Sequence, residues 1–219
     1  MDSILAQYRK RYNFPKKVGL YTSPHLISVR ERIRINSVPI SPELFAKYFF
    51  EVWDLLTLKY ELATLKNELE NLPSDQKPGY FKFLTLMSFH VFLQEGIDVA
   101  IYETGIGGQF DSTNIVERPA CTGITQLDLD HTYVLGETIE EIAWQKAGIQ
   151  KTGSPSFFVG QTSHPTTMKV IKRVAKERKV QYTCVTKNKY FGIRRLDGVK
   201  VKPDLVTQRY VDVPALEYK

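Results

Sequence analysis

Apolar positions in this chain fall into short blocks of two different periods, and the blocks alternate. Ile97-Asp98-Val99-Ala100-Ile101-Tyr102 is too short for a helix and free of turn residues, so it reads as a strand buried on both faces. Val18-Gly19-Leu20-Tyr21, Ala120–Thr125, Ser156–Val159 and Val180–Val185 read as further short strands. In Arg30-Glu31-Arg32-Ile33-Arg34-Ile35-Asn36 charged and apolar residues alternate, the period-2 signature of a half-exposed strand. Between these blocks the period becomes helical. Residues 3–12 form one such segment. Ser41-Pro42-Glu43 supplies an N-cap and a first-turn proline for another, with Leu44, Phe45, Tyr48, Phe49, Val52, Leu55 and Leu56 as its apolar stripe. That helix is expected to extend, with a break, toward Leu72, ahead of a loop over Pro73–Gly79. Tyr80–Glu95 is a more apolar helix, with His90 read as a core histidine. Thr138–Gln150 carries Glu140 and Glu141 in its first turn, which suits the helix dipole, and His164–Lys179 completes the series. Strands alternating with helices predict an α/β fold of three layers, a mostly parallel sheet flanked by helices.

Composition narrows the class. At 219 residues, 42% hydrophobic and 12% aromatic, the chain can bury a substantial core, and disorder is excluded as its general state. No apolar run approaches the ~20 residues that span a bilayer, and the N-terminus lacks the apolar segment of a signal peptide. The sequence therefore reads as cytoplasmic, with a mitochondrial form open, and as having no membrane partner. Cys121 and Cys184 make no metal-ligand spacing and read as reduced core thiols. Charge is uneven: residues 1–163 carry 16 Lys/Arg against 19 Asp/Glu, and residues 164–219 carry 14 against 5. Lys169, Lys172, Arg173, Lys176 and Lys179 recur at helical spacing without interleaved base-stacking aromatics, which favours a solvated helix face over nucleic-acid binding. The expected division is one α/β domain over residues 1–185 and a basic tail over 186–219.

Chemistry gathers where strands end. Glu103 follows the Ile97–Tyr102 block and meets three glycines within four residues, Gly105, Gly107 and Gly108. Ligands of open α/β sheets sit at the carboxyl ends of strands, and glycines there let backbone approach closely. Thr22-Ser23-Pro24-His25 ends one strand and Asp130-His131 follows another. If those strands neighbour one another, Glu103, His131 and the Thr22–His25 loop converge on one spot whose donors suit Mg²⁺, an ion that takes few protein ligands with waters and phosphate. The phosphate-gripping pattern G-x-x-x-x-G-K-[ST] is absent from the 219 residues; Lys151-Thr152 is preceded by Gln150 where that pattern needs Gly.

Four ordered motifs carry a resemblance. Thr22-Ser23-Pro24-His25-Leu26 with Arg30-Glu31-Arg32-Ile33, then Glu103-Thr104-Gly105-Ile106-Gly107-Gly108 followed by Asp111-Ser112-Thr113-Asn114, then Asp130-His131-Thr132, and last Ile142-Ala143-Trp144-Gln145-Lys146-Ala147-Gly148-Ile149 are similar to those of the folylpolyglutamate synthases of the Mur ligase superfamily. The match is strongest from Val18 to about Gly160, and Trp144-Gln145-Lys146 resembles the eukaryotic branch. Thr104 and Leu127-Asp128 depart from the family pattern in small ways. The resemblance implies an incomplete P-loop NTPase-like central domain that uses ATP to join glutamate to the γ-carboxylate of a folate through an acyl phosphate. It implies that Glu103 and His131 hold Mg²⁺, that Lys146 is a carbamylated lysine acting with His131 in catalysis, and that Thr22, Ser23, Pro24, His25, Gly107, Gly108 and Asn114 contact ligand. With neither a P-loop nor the family's C-terminal domain, the chain is expected to be inactive alone. The other reading is a non-catalytic accessory protein that keeps a folate- or partner-binding surface.

Overall fold

The structure, a computed structural model, describes residues 1–70 and 78–185. It divides into two compact units, Met1–Gly105 and Ile106–Lys219. The expected 73–77 part of the Pro73–Gly79 loop and the 186–219 tail lie outside the described residues.

In the first unit, α1 (Asp2–Tyr12) ends at Asn13, whose left-handed backbone returns its N–H to the Arg9 carbonyl. After β1 (Val18–Tyr21) the chain does not enter the long strand that its alternation predicts. Val29–Arg32 is a single 3₁₀ turn, and only Ile33–Ile35 forms strand β2. A capping box explains the difference: the Ser28 hydroxyl accepts from the Arg30 amide while Glu31 reaches back to the Ser28 N–H. β3 (Val38–Pro39) then pairs antiparallel with β2.

Helix α2 runs unbroken from Pro42 to Glu70, against the expected break, since no Gly or Pro interrupts residues 43–70. Its core face is Phe45, Tyr48, Phe49, Val52 and Leu56; Leu55 is off that face and exposed. Helix α3 (Tyr80–Gln94) buries Phe83, Leu84, Met87, Val91 and Phe92 against it. His90 is half-buried rather than core, its Nε2 lying 2.7 Å from Glu51 Oε2 on α2. β4 (Val99–Tyr102) pairs parallel with β1, giving a mixed sheet in the order β3-β2-β1-β4. The expectation that β4 is buried on both faces fails, because an edge position leaves Ala100 exposed.

The second unit is built on three parallel strands. β5 (Thr122–Ile124), β6 (Ser156–Val159) and β7 (Tyr182–Val185) lie in that order. They alternate with α4 (Thr132–Leu135), α5 (Ile139–Ala147) and α6 (Thr167–Glu177). Ile124, Leu127, Ala143, Ala147, Phe158, Ile171 and Val174 form its core. On α6 the basic residues point outward while Val170, Ile171, Val174 and Ala175 are buried, as the helical spacing predicts. Cys121 is exposed rather than core, since it sits just before β5 begins, and Cys184 is half-buried in β7. β4 and β5 therefore belong to different sheets, not to one.

Candidate functional site

The candidates of the first unit meet at the carboxyl ends of two parallel strands. Thr22–His25 follows β1, and Glu103 follows β4, the register setting Tyr21 opposite Tyr102. The Glu103 N–H donates to the Tyr21 carbonyl at 2.9 Å, and the Ser23 N–H donates to Glu103 Oε2 at 3.0 Å. A loop and a carboxylate 80 residues apart are thus joined at one strand edge. Glu103 is exposed, so its carboxylate keeps acceptor capacity toward solvent or a ligand.

Behind this edge stands a residue that the sequence reading did not single out. Arg32 is buried, donates from Nε to His25 Nδ1 at 2.8 Å, and lies 5.6 Å over the Tyr80 ring. Its donation fixes His25 Nδ1 as the acceptor, so the proton of the neutral ring is on Nε2. The alternation of residues 30–36 hid Arg32 among three other charged residues, Arg30, Glu31 and Arg34; only the capping turn rotates it inward.

Glu31 pins the same loop from the other side. Its two carboxylate oxygens accept the Leu26, Ile27 and Ser28 N–H groups at 3.0, 3.2 and 2.8 Å. The Leu26 amide first, then that of Ser28, holds the Glu31 carboxyl below the ordinary carboxylate range. A depressed folded-state pKa gives stabilisation that is complete above the unfolded value of about 4.3 and shrinks as pH falls through the folded value. Hydrogen-exchange protection of the 26–28 amides should therefore drop as pH falls below that value, and Glu31→Gln should remove the pH dependence. Protection that is flat with pH would show that Glu31 does not hold the loop.

In the second unit the glycine loop closes on α5. Asp111 accepts the Ile106 N–H at 3.0 Å and both the N–H and hydroxyl of Thr113, at 2.9 and 2.6 Å. The Gln109 N–H donates to the Gln145 carbonyl at 2.7 Å, and Asn114 Nδ2 donates to the carbonyls of Gln109 and Gly148 at 3.1 Å each. A Cβ on Gly108 would stand 2.7 Å from the Gln145 carbonyl oxygen and 3.0 Å from that of Lys146. Gly107 has φ of 68°, where side chains are strained. Here, then, Gly107, Gly108 and Asn114 bring loop and helix backbone together. Arg178, also missed, donates from Nη1 to the Gly148 and Gln150 carbonyls at 2.7 and 2.9 Å. No local signal separates it from the other basic residues of its run. The Lys151 ammonium donates to the Asn114 carbonyl at 2.9 Å, and burial pulls its pKa below the ordinary lysine range.

Lys146 is half-buried in the last turn of α5. His131 caps α4 with a left-handed backbone, φ 51°, an unusual conformation for a residue with a side chain. Its ring Nε2 is 3.5 Å from Asp130 Oδ2, and it remains partly exposed. No group of three or more metal-ligating side chains occurs among the described residues. Glu103 and His131 lie in separate units.

No family model matches the chain. It is 52% identical over 209 residues to the folylpolyglutamate synthase of Neurospora crassa, covering 95% of this chain and 37% of that protein. Among solved structures, a mutant of L. casei FPGS superposes with a TM-score of 0.72 at 30% identity, over 84% of this chain and 41% of the other.

The chain is homologous to the folylpolyglutamate synthases.

An FPGS structure described as a complex with AMPPCP and folate superposes with a TM-score of 0.66 at 30% identity, over 84% of this chain and 42% of its own. The resemblance carried by the four motifs and the α/β architecture expected from it are borne out. The chain spans little more than a third of the length of the Neurospora folylpolyglutamate synthase. No helix among the described residues is long and apolar enough to cross a membrane.

Proposed function

We propose that this chain is the part of an ATP-dependent amide ligase that holds the folate-side loop and the metal carboxylate. In the full reaction the γ-phosphoryl group of ATP passes to a terminal carboxylate oxygen of a folate, leaving ADP and an acyl phosphate. The amine of an incoming glutamate attacks the acyl carbon, phosphate departs, and the nitrogen loses a proton as the amide forms. Such chemistry needs positioning and charge neutralisation more than covalent help. The observation that carries the reading is the Ser23–Glu103 hydrogen bond, which ties the folate-side loop to the candidate metal carboxylate.

Each residue then has a task. Glu103 and His131 would hold Mg²⁺, which supplies neutralisation of phosphate oxygens when bound. Lys146, carbamylated, would present a carboxylate to the same region. The Thr22–His25 loop would line the folate wall, with its Ser23 amide set by Glu103, the adjoining 26–28 backbone set by Glu31 and its histidine tautomer set by Arg32. Gly107, Gly108 and Asn114 would support the nucleotide side by fixing the loop against α5.

The 219-residue polypeptide, which contains no G-x-x-x-x-G-K-[ST], offers no such lysine to the β- and γ-phosphates. Phosphate release with folate, glutamate, Mg²⁺ and ATP should not exceed that of its Glu103→Ala variant. Turnover well above that control would sink this assignment of the phosphate grip. The non-catalytic reading makes a different forecast. In a relative of full length carrying these motifs, it expects His131→Ala to leave turnover unchanged, where the ligase reading expects a loss of two to three orders of magnitude (roughly 3–4 kcal/mol).

A further inference from the structure

Arg32 is a charge without a counter-charge. The residue is 9% exposed, and a guanidinium taken out of water is costly unless an anion meets it. Among the described residues no carboxylate pairs with it. Glu31, its neighbour in the chain, spends both carboxylate oxygens on the amides of residues 26–28. Glu103 accepts the Ser23 N–H and is assigned to Mg²⁺ in the ligase reading. Of the five N–H donors of a guanidinium, the one on Nε goes to His25 Nδ1 at 2.8 Å, and the central carbon lies 5.6 Å over Tyr80. An aromatic face attracts a cation but carries no net charge to cancel it.

The charge acts through the imidazole instead. The Arg32 carbonyl accepts the Thr22 N–H at 3.0 Å, so Arg32 is tied to both ends of the loop that carries His25. With Nδ1 accepting, the neutral ring holds its proton on Nε2, and that nitrogen meets no partner among the described residues. His25 is only half-buried. A cation donating to one ring nitrogen polarises the ring and strengthens the N–H on the other. The pair therefore presents one donor backed by an uncompensated positive charge, and the group that satisfies both is an oxyanion. We propose that Arg32 is a positioning residue that acts through the Nε2–H of His25 to select a carboxylate at the glutamyl end of a folate. The inference rests on the folate-side reading of the Thr22–His25 loop. Phosphate oxygens share this chemistry, and the test separates the two sources.

Calorimetric titration of the 219-residue chain with folate, and with folate α,γ-dimethyl ester, which has no carboxylate, reads the selection directly. The free acid should bind at least about tenfold tighter. Arg32→Met should bring the two ligands within about twofold, with circular dichroism reporting the fold. Arg32→Lys, which keeps the charge, should recover part of the difference. Lys82→Gln removes one charge from an exposed position in the first turn of α3 and should leave the preference intact. Replacing a buried arginine can unfold a chain, so His25→Phe, at the half-buried ring, gives a second route and should abolish the preference as well. Nitrogen NMR shifts of the His25 ring should report the proton on Nε2 in the unmodified chain and a mixture of tautomers in Arg32→Met, which loss of packing alone would not produce. An undiminished preference in Arg32→Met, or an equal loss in Lys82→Gln, overturns the proposal while folate binding, and the folate-side reading with it, stands. Displacement of folate by millimolar inorganic phosphate from the unmodified chain, but not from Arg32→Met, overturns it in favour of a phosphate site. A chain that binds neither ligand fails the folate-side reading itself.

Discussion

Glu103→Ala, introduced into a relative of full length, is expected to lower turnover by two to three orders of magnitude, roughly 3–4 kcal/mol of barrier, with little change in thermal midpoint. The asymmetry follows from position. Glu103 is exposed at the end of β4, and among the described residues its carboxylate accepts one hydrogen bond, from the Ser23 N–H. Losing a single solvent-exposed bond of that kind costs about 1 kcal/mol or less. Its proposed work on phosphate charge lies instead in the transition state. Both kcat and kcat/KM should therefore fall together. Glu103→Gln, which keeps the acceptor for Ser23 but not the charge, should be nearly as slow as alanine. Should the glutamine variant turn over normally, the carboxylate does not serve a metal, and its bond to Ser23 is its whole role.

The largest loss of stability is expected at Gly148. A Cβ there would lie 2.4 Å from Gln109 Cα, and that neighbour is backbone, not the tip of a flexible side chain. The same carbonyl region receives Asn114 Nδ2 and Arg178 Nη1, so a shift to relieve the clash pulls two further bonds out of line. Overpacking costs typically 1–3 kcal/mol; with the bonds added, Gly148→Ala should cost about 3 kcal/mol or more. At this chain length that moves the thermal midpoint down by roughly 6–12 °C. Gly123→Ala is the control, because nothing stands within 4 Å of its added Cβ and its backbone is not left-handed. Equal midpoints for the two variants would show that the glycine loop does not press on α5 as described.

How much of this was legible in the sequence depended on whether the signal was local. Ser41-Pro42 announced α2, the acids of Thr138–Glu141 announced α5, and the basic spacing of Lys169 to Lys176 announced the wet face of α6. Those signals are set by neighbours three or four residues away. The failures came where a partner distant in the chain, or an unexpected turn, decided the outcome. The polar–apolar alternation over 32–36 suggested a strand across 30–36, yet Ser28 and Glu31 spend their side chains on a capping box and fold the first half into a 3₁₀ turn. The apolar block before Glu103 looked like a central strand, but among the described residues β1 is its one partner in the sheet, which leaves it at an edge. Among the site candidates, the Glu103–Ser23 contact could be anticipated from two strand ends. Arg32 under His25 and Arg178 over the glycine loop could not, since their roles exist only once loops are closed.

The grip of Glu31 on the 26–28 backbone has a consequence for how this surface can change over evolutionary time. That carboxylate holds main-chain amides, which every amino acid except proline supplies, and it makes no use of the two side chains at the tip. Leu26 and Ile27 are 92% and 93% exposed. The loop's shape is therefore insured by one residue, while its two most prominent side chains are free to vary at almost no structural penalty. A lineage can exchange them to suit a different ligand without first acquiring compensating mutations elsewhere, so specificity at this edge can drift faster than the scaffold beneath it.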